Sequence, residues 1–120
     1  MNNNNSEALS TTQDRRDVID TLSTFSPELV GIISECAIEK VYNRDVLANQ
    51  MKEVIAVVSL ISLGSDRLKG HFESALQEGL TLEQLKEIVT LSTIYLGFPR
   101  AIDAMLKLNE VAEDLKLVRD

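Results

Sequence analysis

Ten uncharged residues, Val54 to Leu63, stand between Glu53 and Gly64, and only Ser59 and Ser62 interrupt their aliphatic side chains. The run is too short to cross a bilayer. With Gln50 to Lys52 ahead of it, it reads as one helix from about Gln50 to Leu63, apolar almost all round. A helix of that kind needs cover on most sides, so it is expected to be the central buried element of a helical domain.

The rest of the chain is punctuated for helices. Residues 1–13 are dominated by Asn, Ser and Thr and read as a flexible polar tail, leaving 14–120 as a single domain. Asp14 to Phe25 carries Val18, Ile19 and Leu22 at helical spacing. Ser26-Pro27 is a hydroxyl cap followed by proline at the first helical position. The helix it opens, to about Lys40, places Leu29, Ile32, Ile33, Cys36 and Ala37 on one stripe, which is expected to face inward. Tyr42 to Asn49 reads as a loop.

Gly64-Ser65-Asp66 ends the apolar helix, and Arg67 to Glu78 forms the next, closed by Gly79. Thr81-Leu82-Glu83-Gln84 has the spacing of a capping box and opens a helix to about Tyr95. Gly97-Phe98-Pro99 stops that helix and starts the last, which ends near Leu115. No strand-like alternation, fixed-period repeat or glycine-rich phosphate loop appears. The fold class is therefore all-α, with five or six short helices.

Composition narrows the partners. Nineteen acidic against 12 basic residues give a net charge of −7, which repels phosphate backbones and argues against nucleic acid. The basic residues are scattered, with no membrane-surface patch, and the Asn run at Met1 to Ser6 lacks the apolar core of a signal peptide. A cytoplasmic protein is expected. Cys36 is the only cysteine and His71 the only histidine, so neither an internal disulfide nor a structural zinc site is available. A chain of 120 residues without Trp makes its core from aliphatic side chains and stands to gain further core by self-association.

His71 is the one side chain whose ordinary pKa lies near neutrality, placed mid-helix where it serves either packing or acid–base chemistry. Glu53 begins the apolar helix and suits a first-turn dipole partner or a catalytic carboxylate. Were Gly64 to Asp66 a simple antiparallel hairpin, His71 would face residues near Ser59, about 8 Å along the helix from Glu53. Sharing one site would then require steeply crossed helices or a second subunit. Arg44, with Tyr42 two residues before it, lies in the loop and fits either a carboxylate or a surface ion pair. The same alternatives hold for Lys52 and Arg100. Cys36 reads as a small apolar filler, and Tyr95 as a packing residue or a hydroxyl directed into a pocket.

Together these segments resemble the carboxymuconolactone decarboxylase family. The run Glu53 to Gly64 is similar to its Glu-Leu-Ile helix. Leu68-Lys-Gly-His71, continuing to Gly79-Leu-Thr81, is similar to its histidine helix and Gly-x-Thr turn. Tyr95-Leu-Gly97-Phe98-Pro99-Arg-Ala101 matches a Tyr-x-Gly-Phe-Pro-x-Ala signature, and Tyr42-Asn-Arg44 an aromatic-x-Arg element. The similarity covers about Pro27 to Val111.

The resemblance implies an alkylhydroperoxidase D-like fold, assembled as a homo-oligomer, commonly a trimer or hexamer. It also implies cofactor-free, metal-free decarboxylation of a small lactone or carboxylic acid such as 4-carboxymuconolactone. His71 and Glu53 would be catalytic, and Arg44, Tyr42 and Tyr95 would bind substrate. The peroxide-reducing relatives use a Cys-x-x-Cys pair ahead of the histidine, where this chain has Gly64-Ser65-Asp66-Arg67-Leu68 with no sulfur. Attack on peroxide needs a thiolate and turnover a second thiol, so that activity is excluded. Asp45-Val46 replaces the Pro-Gly that follows the arginine in many members, and the segment before His71 is one residue short. A non-catalytic helical oligomer or small-molecule binder is the alternative.

Overall fold

A computed structural model describes residues 13–117. The order is α1 (Gln13–Phe25), α2 (Pro27–Ile32), a π-helical segment (Ile33–Tyr42), α3 (Asn49–Leu63), α4 (Leu68–Gln77), α5 (Leu82–Leu96) and α6 (Phe98–Asp114). No strand occurs among the described residues. The polar tail expected at the N-terminus lies outside the described residues except for Gln13, which opens α1.

The punctuation read from the sequence acts as hydrogen-bonding chemistry. Ser26 Oγ accepts the Leu29 N–H at 3.3 Å, with Pro27 in the first turn of α2. Thr81 Oγ1 accepts the Gln84 N–H at 3.0 Å while Gln84 Oε1 accepts the Thr81 N–H at 2.9 Å, a reciprocal box that satisfies two end donors. Helix α3 ends on Gly64 at φ 64°, where the Ser65 N–H reaches the Leu60 carbonyl and the Gly64 N–H that of Ile61. The same pair of bonds closes α4 at Gly79 (φ 101°) and α6 at Lys116 (φ 59°), the last without a glycine.

Helices α3 to α6 enclose the core. Val57 and Ile61 of α3, Leu68, Phe72 and Ala75 of α4, Leu85 and Val89 of α5, and Ala104, Leu108 and Val111 of α6 are all buried. Their spacing of three and four residues puts each set on one helix face. Helix α1 touches α2 and α4, whereas the π-helical segment has α2 as its main neighbour. No helix of the described residues is long and apolar enough to cross a membrane.

Two expectations are corrected. The stripe Leu29, Ile32, Ile33, Cys36 and Ala37 does not face inward: within one chain all but the half-buried Ala37 are exposed. Periodicity placed these residues on a common face, but no element among the described residues covers it. The helix also changes pitch at Ile33, with the Asn43 N–H reaching five residues back to the Ile38 carbonyl at 2.9 Å. No residue of the run accounts for the wider turn.

The second correction concerns α3. Only Val57 and Ile61 are fully buried, while Met51, Ile55, Val58 and Leu63 are exposed. The helix is half-covered rather than central, because the core occupies one of its faces and the loop before it covers part of another.

Candidate active site

Helix α3 carries a different function on each side. Opposite the core face of Val57 and Ile61 lie Ile55 and Ser59, four residues apart and so on one line, with Ala56 beside them three residues before Ser59. The chain from Val41 to Leu47 arches over that line, and between them is a cavity of about 760 Å³, well within the range of small-molecule sites. Val41, Val46 and Leu47 complete the aliphatic wall, and Tyr42, Arg44 and Lys52 supply the polar groups.

Lys52 fixes the arch. Its ammonium donates to the main-chain carbonyls of both Tyr42 and Arg44, anchoring the two loop residues to the first turn of α3. Arg44 is exposed at the cavity edge, and no ion pair joins it to Asp45 or to any other described residue. Asp45 lines a neighbouring hollow that shares Tyr42, Arg44, Leu47 and Lys52 with the first.

Glu53 lies on the flank of α3 between core and cavity. Its Oε1 is 3.3 Å from His71 Nδ1 on α4, with the carboxylate side chain 13% and the imidazole 35% exposed. The simple-hairpin expectation, which set His71 opposite Ser59, is thus overturned. Gln50 Nε2 donates to the Glu78 carbonyl at 2.8 Å while Glu53 meets His71. A step of about 4.5 Å along α3 therefore matches one of about 10.5 Å along α4. The two axes are inclined to each other, and local sequence carries no signal for that inclination.

With Nδ1 facing the carboxylate, Nε2 is the ring atom left to give or take a proton. Tyr42 belongs to the cavity and feels the Glu53 charge. It lines the wall, and its phenol is held above the ordinary value of 10.0, first by burial and then by the Glu53 carboxylate. The phenol therefore stays protonated and is available as a donor at neutral pH.

The structure brings His71 and Glu53 together, and Tyr42 and Arg44 share the cavity. It does not bring all five expected residues into one pocket. Neither Glu53 nor His71 lines the cavity, and Tyr95, 79% exposed near the end of α5, lies elsewhere on the surface. Tyr95 joins Leu91, Ile94, Phe98 and Ile102 as exposed apolar residues at the α5–α6 turn. Cys36 is exposed rather than buried filler. Arg100 is not in the cavity either: its guanidinium lies over Gly64, where an added Cβ would meet Nη1 at 2.0 Å.

Sequence reasoning gave Lys52 no definite role, and its position one residue before Glu53 was the only signal available. It passed over Glu73, fully buried on α4. Among the described residues no three or more His, Cys, Asp or Glu side chains are grouped as a metal would need.

Comparison with known proteins adds two similarities. The sequence model described as the carboxymuconolactone decarboxylase family matches residues 27–110. A 4-carboxymuconolactone decarboxylase of Acinetobacter baylyi is 29% identical over 98 residues, which cover 81% of this chain and 73% of that relative.

Proposed function

The chain belongs to the carboxymuconolactone decarboxylase family, and from that premise we propose that it is a cofactor-independent carboxy-lyase or related acid–base enzyme. Its substrate is a small lactone or carboxylic acid such as 4-carboxymuconolactone. The observation that carries the reading is the His71–Glu53 pair at 3.3 Å, on the flank of the helix that also walls an aliphatic cavity edged by Arg44.

In 4-carboxymuconolactone the departing carboxylate is vinylogous to the lactone carbonyl. When its carbon–carbon bond breaks, carbon dioxide leaves and the electron pair passes into a dienolate on the lactone. Arg44 holds a carboxylate by charge-assisted hydrogen bonds. His71, oriented by Glu53, returns a proton to the dienolate carbon, an acid–base contribution of about 10²–10⁴ in rate. Val41, Val46 and Ile55 of the aliphatic wall are exposed in one chain, and a second copy laid over them would keep water from the reacting end.

Self-association is part of the proposal. Apolar residues remain exposed on α2, α3 and the α5–α6 turn. A homo-oligomer, trimeric or hexameric as is common in the family, would cover such faces and bring Tyr95 of one copy toward the site of another. No partner beyond further copies and the small-molecule ligand is invoked.

One observation favours the competing reading, a helical oligomer that binds without turnover: His71 and Glu53 stand beside the cavity rather than in its wall. Loss of ultraviolet absorbance from 4-carboxymuconolactone, measured with wild type and His71→Ala, separates the two. The lyase reading expects consumption by the wild type and its loss in the variant. Absence of consumption, or an equal rate in His71→Ala, overturns it.

A further inference from the structure

We infer that Gln50 is a positioning residue for the candidate catalytic pair: its bond to the end of α4 holds Glu53 against His71. The inference rests on the acid–base reading above and adds to it a residue outside the cavity wall.

The turn that carries Glu53 has no cap of its own. Ala48 precedes α3 and makes no side-chain cap bond, whereas α2 opens on Ser26 and α5 on the Thr81–Gln84 box. A first turn with its end donors unmet frays readily. Side chains of that turn reach outward instead. Lys52 donates to the loop carbonyls, and Gln50 Nε2 to the Glu78 carbonyl at 2.8 Å. Glu78 closes α4, so its carbonyl lies where a helix runs out of internal donors. One amide thus serves the start of α3 and the end of α4 together.

Spacing makes this bond a constraint on the pair. Gln50 and Glu53 are three residues apart and His71 and Glu78 seven, so each couple shares one edge of its helix. Two cross-links along one seam set both the gap between two rods and their inclination; a single one leaves the rods free to swing about it. Gly79 makes room for the second link. It follows Glu78 at φ 101°, and a Cβ there would lie 2.8 Å from Gln50 Nε2. Only a donor suits the position, because it meets a carbonyl at the negative end of α4. Without the link Glu53 no longer keeps its distance from Nδ1, and the imidazole loses the acceptor that selects its tautomer.

His71 is the only histidine, so nitrogen-15 spectra of the full chain report on its ring directly. The neutral ring of the wild type is expected to carry its proton on Nδ1, toward Glu53. Gln50→Met keeps a long side chain and removes the donor. It is expected to shift the ring toward the Nε2 tautomer and to lower kcat on 4-carboxymuconolactone about tenfold. KM should stay within about twofold, since Lys52 still holds the loop of Arg44. Gly79→Ala is expected to displace the amide and repeat the shift, and to add little to it in the Gln50→Met background. Ser26→Ala, which uncaps α2 away from the seam, is expected to lower Tm and leave ring and kcat as they were.

An Nδ1 proton retained in Gln50→Met overturns the inference. So does a wild-type ring already protonated on Nε2, an equal shift in Ser26→Ala, or a KM that rises as far as kcat falls. The ring spectrum keeps this distinct from the lyase reading. A tautomer shift in a protein that consumes no lactone upholds Gln50 and removes the lyase reading; turnover with an unmoved ring does the reverse.

Discussion

Replacing Lys52 by methionine tests whether one ammonium holds the loop that shapes the cavity. Methionine keeps a long unbranched stem over α3, so packing changes little while both hydrogen bonds vanish. The contact to the Tyr42 carbonyl is partly buried and that to the Arg44 carbonyl exposed. Hydrogen bonds from a charged donor contribute about 1.5–3 kcal/mol when shielded, and an exposed carbonyl recovers most of its loss from water. The net cost is therefore about 1–2 kcal/mol, which for a domain of this size lowers Tm by roughly 3–10 °C. Thermal melting by circular dichroism, with urea unfolding beside it, reads the change. Faster amide exchange over residues 43–48 should accompany it, because the loop loses its anchor. A melting point within about 1 °C of wild type, with unchanged exchange in the loop, would refute the assignment of Lys52 as the anchor.

Three further outcomes follow from features of the fold. Gly64→Ala puts a Cβ on a residue at φ 64° and against the Arg100 guanidinium; unfolding should show a loss of about 1–2 kcal/mol, most of it backbone because the arginine tip can shift. Lys116→Gly relaxes the one positive-φ residue that is not glycine among the described residues, and a denaturant titration should show a gain of at most about 1 kcal/mol. For Tyr42 the folded-state pKa lies above the unfolded one, so the unfolded chain loses its proton first as pH rises past 10.0. Stability from this group is thus complete below that pH and declines as the pH climbs through the folded value. Wild type should lose stability relative to Tyr42→Phe over that alkaline span and show no such relative loss below it.

The helix termini were legible because each rests on local chemistry: a hydroxyl before Pro27, the Thr81–Gln84 pair, and glycines at 64, 79 and 97. Burial on α4 to α6 follows the helical repeat, although no inward face was assigned to those helices from the sequence. What failed depended on relations between elements. Leu29, Ile32 and Ile33 share a stripe, yet a stripe does not say whether the same chain supplies its cover. The Glu53–His71 contact needed the relative inclination of α3 and α4, which is set by packing across the whole core rather than by residues 64–67. The residue types of the candidate site were readable; their distribution between the cavity wall and its flank was not.

The two faces of α3 are chemically independent although they belong to one rigid rod. Val57 and Ile61 answer to the interior, while Ile55, Ala56 and Ser59 answer only to whatever occupies the hollow under the loop. Changes at the latter three remodel the shape and polarity offered to a ligand without opening voids in the interior, where deletions are far more costly. Ligand choice on this scaffold is therefore free to drift at little thermodynamic expense, one side chain at a time, with the architecture left standing.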